Sequence, residues 1–304
     1  FLFLYNVCTG IFTALGDSKT PLFFLILSSV FNVILDYILV KFTNLGVSGV
    51  AWATFIAQGL ASILSFITLM LRIKKLNCGK AKIFSFDMLK KILFVAIPSI
   101  LQQSFVSVGN IFIQGLVNTF GDIVVAGFSA AGKLNTFTIT TLTALGNSMS
   151  SFTAQNVGAG KIVRIKKGVK SLYIISFAIT TLLFILFTCC PEIMMRIFIS
   201  ETDTAIIKAG IAFLQTVAPF YLFISIKLII DGVLRGSGAV KIFMVSTFSD
   251  LLLRVLLSFA LSPIFAQQGI WYSWPIGWLF ATAISCIFYF TGMWKKNIKN
   301  LTDK

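Results

Sequence analysis

Histidine is absent from this chain, and acidic residues are scarce: ten Asp and Glu stand against 25 Lys and Arg among 304 positions. Without imidazole, the commonest metal ligand and general base are missing. Cys8, Cys78, Cys189, Cys190 and Cys286 show no metal-ligand spacing. Zinc chemistry and His-based acid/base catalysis thus have almost no raw material, and the chain reads as neither an enzyme nor a cofactor protein. A phosphate loop is also lacking. Gly158-Ala-Gly160-Lys161 is glycine-rich but departs from the G-x-x-x-x-G-K-[ST] spacing, so no ATPase is encoded. The first residues, from Phe1, are apolar without a basic n-region or cleavage site, which excludes a signal peptide and reads as an N-terminally truncated start.

What is present is apolar surface. Hydrophobic residues make up 57% of the chain, charged residues 12%, and mean hydropathy is +0.95. This composition lies outside the globular range and predicts an all-α integral membrane protein whose main partner is the lipid bilayer. Apolar runs of membrane-spanning length fall near 21–42, 48–71, 92–118, 123–150, 168–190, 205–233, 242–262 and 270–294, after a stub at 1–15. Eight full spans are expected. The only sizeable polar segment, 72–91, reads as a linker between a remainder of one lobe (1–71) and a second lobe (92–294), with a tail at 295–304.

The two parts share a pattern. Gly10 to Lys19, with Gly16, opens a unit that recurs about 220 residues downstream as Gly232 to Lys241, with Gly238. Each is followed by an apolar span, a glycine turn (Gly46 to Gly49; Gly269) and a second span. Internal repeats in a membrane chain point to a transporter with its substrate site near the repeat interface.

Basic residues fix the expected orientation. Lys19; Arg72, Lys74, Lys75, Lys80, Lys82, Lys90, Lys91; Lys161, Arg164, Lys166, Lys167, Lys170; Arg235, Lys241; and Lys295, Lys296, Lys299, Lys304 are 19 of the 25, and they occupy every second connection. The intervening connections carry Asp122, Glu192, Glu201 and Asp203, with only Arg196 among bases. Cytoplasmic loops carry such an excess, so a multi-pass cell-membrane protein with a cytoplasmic C-terminus is expected. This asymmetry accounts for the net charge of +15 without nucleic acid.

Leu15-Gly16-Asp17-Ser18-Lys19-Thr20-Pro21, Asn32 to Asp36, and Gly46 to Thr54 resemble helices four to six of multidrug and toxic compound extrusion (MATE) transporters. Ala96-Ile-Pro98, Gln155-Asn156-Val-Gly158-Ala-Gly160 and Leu234-Arg235-Gly236-Ser-Gly238 resemble the C-lobe signatures of the same family. The resemblance implies a two-lobe bundle of repeated six-helix lobes, of which helices one to three and most of helix four would precede this chain. The missing acid on helix seven resembles the DNA-damage-inducible branch, in which the N-lobe carries the coupling ion.

Asp36 is the first candidate site residue. A carboxylate inside an apolar span is costly and marks function. Asn32 lies one helical turn earlier on the same face, and Thr54 offers a hydroxyl from the next span. Their oxygens suit Na⁺, or the carboxylate a proton. The resemblance implies that Asn32, Asp36 and Thr54 belong to a cation site completed by an acid on helix one. An interfacial Asp capped by its neighbours is the alternative. Gln103, Ser107, Asn110 and Gln114 share one helix face, and Ser129, Lys133, Thr136, Thr140 and Asn147 share another. These stripes either line a cavity for amphipathic cations or hydrogen-bond across a helix interface. Lys227/Asp231 and Asp250/Arg254 are opposite charges four apart that permit pairing, with a proton relay as the alternative. Trp271, Trp274 and Trp278 read as interface anchors.

The expectation is a monomeric Na⁺- or H⁺-coupled antiporter exporting organic cations by alternating access. The runner-up is a lipid-linked oligosaccharide flippase that holds a pyrophosphate through Lys133 and Arg254. A membrane scaffold or inactive remnant is the third reading.

Overall fold

The computed structural model describes residues 1–43, 45–76, 84–199 and 204–295. Cys78, Lys80, Lys82, Glu201, Asp203, Lys296, Lys299 and Lys304 lie outside the described residues, as does most of the expected linker and tail. Every regular element among the described residues is helical. In order they are α1 (Leu2–Ala14), α2 (Lys19–Phe42), α3 (Val47–Lys75), α4 (Phe86–Asn118), α5 (Asp122–Gly158), α6 (Ile162–Cys189), α7 (Pro191–Arg196), α8 (Thr204–Val217), α9 (Tyr221–Gly236), α10 (Val240–Phe265) and α11 (Gln267–Phe290).

Among the described residues, seven segments are long and apolar enough to cross a membrane, against the eight expected. The difference is α5, a helix of 37 residues. Its stripe of Ser129, Lys133, Thr136, Thr140 and Asn147 dilutes its apolarity. At 1.5 Å per residue it is about 55 Å long, well beyond a hydrocarbon core of about 30 Å. The span expected at 205–233 is α8 and α9 joined by a 3₁₀ turn, Ala218–Phe220, where Pro219 removes a backbone donor. The segment 72–91 is helical at both described ends, since α3 runs to Lys75 and α4 begins at Phe86.

The chain divides into two compact units, Phe1–Ser85 and Phe86–Lys304. In the first, α3 packs against both α1 and α2, and Cys8, Phe12 and Leu69 form a small core. Asp17 fixes the α1–α2 turn. Its Oδ1 accepts the Lys19 and Thr20 backbone N–H groups, each at 3.1 Å, and its Oδ2 accepts the Thr20 hydroxyl and an Arg72 N–H from the end of α3. These bonds, the Thr20 N–H foremost, hold the Asp17 carboxyl below the ordinary carboxylate range.

In the second unit α10 and α11 pair, α5 packs along α8 and α9, and α4 leans on α10. Glycines permit the α5–α9 approach: a Cβ on Gly146 would sit 2.6 Å from the Leu228 carbonyl oxygen. Small residues serve the same end in membrane bundles generally. Phe213, Tyr221, Trp271, Trp274 and Trp278 lie in the main core, with Phe128 packed on it. The three tryptophans are therefore not the expected interface anchors. They are 0%, 9% and 2% exposed, and their large aromatic area fills the space between α11 and α8.

The repeat seen in the sequence is repeated in backbone geometry. Gly16 and Gly238 both close their helices with a left-handed residue, φ 82° and 77°. The amide two residues past each C-cap, Leu15 and Ser237, then reaches back, Asp17 N–H to Phe12 C=O at 2.9 Å and Ala239 N–H to Leu234 C=O at 2.8 Å, the Schellman pattern. The next turns match as well: Gly46 before α3 and Ala266 before α11 share φ 51°, with ψ of −125° and −139°.

Candidate functional site

The first candidate site stands on α2 and α3. Asn32 and Asp36 are half-buried on one face of α2. Asn32 donates through Nδ2 to Thr54 Oγ1 at 3.4 Å, a long and weak bond. Thr54 donates its own proton to the Val50 carbonyl at 3.0 Å, so its oxygen is left as an acceptor. Asp36 Oδ1 is buried and has no hydrogen-bond partner among the described residues. Buried polar atoms are almost always satisfied, so an orphaned carboxylate oxygen calls for a proton or a cation. Asn32 and Thr54 meet across α2 and α3, and Asp36 stands one turn along the same face of α2, so carboxylate, amide and hydroxyl groups lie in one region of this helix pair. That donor set fits a hard monovalent cation.

The second candidate site lies within the second unit, between α4, α5, α8 and α11. It is a cavity of about 530 Å³ lined by Asn110, Gln114, Ser129, Lys133, Asn135, Thr136, Phe128, Phe213 and Trp274, with Ile113 and Gly132. Of the polar stripe on α4, only Asn110 and Gln114 reach it. Gln103 and Ser107 are exposed outside it, and the Ser107 hydroxyl donates to the Gln103 carbonyl at 3.1 Å, within its own helix. Thr140 and Asn147 of α5 also fall outside the cavity; Asn147 Oδ1 accepts from Arg235 at 2.9 Å.

Asn135 was missed by the stripe reading, because it stands one position before Thr136 and on the buried side of α5. Its Oδ1 accepts the Tyr221 hydroxyl at 3.0 Å, and that bond orients the amide. A buried Asn among threonines was the available signal. A larger space of about 620 Å³ between α4 and α10 is lined almost wholly by apolar side chains such as Phe105, Phe112 and Leu252, as expected of a surface facing acyl chains.

The two intramembrane charge pairs differ. Lys227 Nζ meets Asp231 Oδ2 at 2.7 Å with side chains 3% and 2% exposed. The Thr247 hydroxyl lies 3.4 Å from Lys227, and Ser285 donates to Asp231 Oδ1 at 2.8 Å. Asp250 and Arg254 correct the expectation: no ion pair joins them. The Arg254 guanidinium lies over the Trp274 ring, 4.4 Å from its centroid. Asp250 Oδ1 and Arg254 Nε have no hydrogen-bond partner among the described residues. Cation–π stacking on a buried indole holds the guanidinium, with the charge of Asp250 acting on it from one turn away.

Helices long and apolar enough to cross a membrane, an open cavity with a polar lining in the second unit and a carboxylate with an orphaned oxygen inside an apolar helix fit a transporter. Residues 98–260 match the MatE family model, and the chain belongs to that family. It is 28% identical over 305 residues to the "Probable multidrug resistance protein YpnP" of Bacillus subtilis (strain 168), a match that covers 100% of this chain and 68% of that protein. It is 23% identical over 289 residues to the "Probable multidrug resistance protein NorM" of Thermotoga maritima, covering 92% and 62%. In fold it is similar to a MOP superfamily transporter from Pyrococcus furiosus, with a TM-score of 0.85 at 22% identity over 98% of this chain and 66% of that one. The chain spans about two thirds of the length of these relatives.

Proposed function

We propose that the protein is an ion-coupled efflux transporter of amphipathic small molecules in the cell membrane, with Na⁺ or H⁺ bound at Asn32, Asp36 and Thr54. The observation that carries this is the buried, unpartnered Asp36 Oδ1 beside the Asn32–Thr54 contact. A coupling ion must bind one state of the transporter better than the other, because ligands shift an equilibrium only through differential affinity. An incomplete set of oxygens at a helix pair is suited to that: it gains from a cation when closed around it and is costly when empty. The family resemblance implies alternating access with organic cations as cargo, and the basic-loop asymmetry supports a cytoplasmic C-terminus.

The flippase reading draws less support. It needs two cavity cations for a pyrophosphate, and Arg254 is buried against Trp274, which leaves Lys133 as the one cation lining the cavity among the described residues.

The test is dye efflux from proteoliposomes of the full-length protein under an imposed Na⁺ or H⁺ gradient, with wild type, Asp36→Asn and Thr54→Val. Gradient-driven efflux is expected in the wild type, none in Asp36→Asn, and a weakened ion dependence in Thr54→Val. Unchanged transport by Asp36→Asn would remove the coupling assignment.

A further inference from the structure

We infer that the second-unit cavity takes a flat aromatic anion, one carrying a single carboxylate, sulfonate or phosphate, rather than an organic cation. This rests on the transporter reading and replaces, for that cavity, the organic cations that the family resemblance implies with another cargo class.

Charge is the first observation. Lys133 is the only ionisable side chain that lines the cavity among the described residues, and no carboxylate lies within ion-pair distance of its ammonium there. Its ammonium lies over the Phe198 ring, 5.3 Å from the centroid. A cationic cargo would meet like charge with no carboxylate on the described lining to offset it, and like-charge juxtaposition works against the wrong partner.

Hydrogen bonding points the same way. Asn135, only 5% exposed, gives its Oδ1 to the Tyr221 hydroxyl, so the amide N–H groups remain as donors on the cavity wall. An ammonium and an amide donor, with nearby hydroxyls, match an anionic oxygen cluster.

Aromatic lining sets the shape of the body. Phe128, Phe213 and Trp274 line the cavity beside the polar groups, and Phe213 meets Trp274 edge-on with centroids 5.7 Å apart. The Arg254 guanidinium lies against Trp274, and Asp250, one turn away, offsets that charge. Lys133 is thus the net charge presented to a ligand. A volume of about 530 Å³ accommodates a three-ring molecule.

The probe pair is fluorescein and rhodamine 6G, which share a xanthene core and carry opposite charge. Binding to the purified full-length protein in a neutral detergent is read by fluorescence anisotropy, which needs no transport and no coupling ion. Fluorescein is expected to bind more tightly than rhodamine 6G. Lys133→Gln is expected to weaken it about 10- to 100-fold, the worth of one charge-assisted hydrogen bond, and Lys133→Glu to reverse the preference. Asp36→Asn is expected to leave the anion-over-cation order intact.

A tighter grip on rhodamine 6G, or fluorescein binding indifferent to Lys133, would overturn the inference. So would displacement of fluorescein by low concentrations of phosphatidylglycerol, which would assign the same chemistry to a lipid headgroup. Should the order hold while Asp36→Asn still transports, the coupling assignment fails and the cargo class stands.

Discussion

Asp231→Asn is the substitution whose consequence the structure determines most closely. The carboxylate accepts from Lys227 at 2.7 Å and from Ser285 at 2.8 Å, and Ser285 in turn lies 2.6 Å from Ser246, so one network ties α9 to α10 and α11. The amide keeps the shape and a hydrogen-bond acceptor but leaves the Lys227 ammonium, 3% exposed, without its counter-charge. Breaking a buried pair in this way costs about 3–5 kcal/mol, because the remaining charge stays desolvated. Replacing both partners, as Lys227→Met with Asp231→Leu, removes the two desolvation penalties together and is expected to cost far less than either single change. Ser285→Ala, which deletes one bond to the charged group, is expected to cost about 1.5–3 kcal/mol. The assay is the midpoint of heat-induced loss of the monodisperse peak, measured for wild type, both singles and the double in one detergent. If Asp231→Asn melts with the wild type, or the double variant loses the sum of the singles, the pair does not stabilise this lobe as argued.

Three further outcomes are expected. Gly146→Val forces a branched side chain onto the Leu228 carbonyl and should cost about 1–3 kcal/mol or more in the same assay, whereas Gly132→Ala, which meets open space, should not. Ala266→Gly relieves a side chain at φ 51°, ψ −139°, a glycine region, and should stabilise by about 1 kcal/mol, visible as a raised midpoint. Asp17→Asn should lower the midpoint at pH 7. Because folding depresses the Asp17 carboxyl, its contribution is present above the ordinary carboxylate pKa of about 3.9 and disappears as pH falls through the lower folded value, so the two proteins should converge only in strong acid.

Helices and the repeat were legible because lipid demands both apolar length and a fixed turn chemistry. Gly16 and Gly238 are left-handed closures whose role glycine announces. Gly46 announces its turn too, but its counterpart Ala266 adopts the same φ without the residue that would signal it, so only the backbone shows that equivalence. Helical spacing places Asn32 and Asp36 on one face of α2, and the Asn32–Thr54 contact adds a residue of α3 that spacing within one helix does not reach. The cavity was half readable. Periodicity placed Asn110, Gln114, Lys133 and Thr136 on the right faces, but it treats each face as continuous, whereas the cavity spans only part of α4 and α5 and leaves Gln103, Ser107 and Thr140 outside. The tryptophans misled because position near a span end suggests an interface, while burial depends on which neighbour packs there.

The same reasoning separates charges that hold the lobe from charges that work. Asp231 has an ammonium and a hydroxyl on its two oxygens. Spacing four apart on one helix predicts pairing equally well for Asp250 and Arg254, yet the pair forms only where Thr247 and Ser285 supply the remaining polar partners. Arg254 instead finds an aromatic face on α11. A carboxylate so fully satisfied as Asp231 is poorly suited to release and rebind an ion, since each exchange would break several strong bonds at once. Asp36 is the opposite case: its Oδ1 is buried with no partner among the described residues, so the bond it lacks there is available to a passing cation or proton. Satisfaction sets Asp231 apart as structural; Asp36 and Asp250 each keep an unpartnered oxygen among the described residues, and of the two Asp36 is the one that shares its helix face with Asn32 of the Asn32–Thr54 contact.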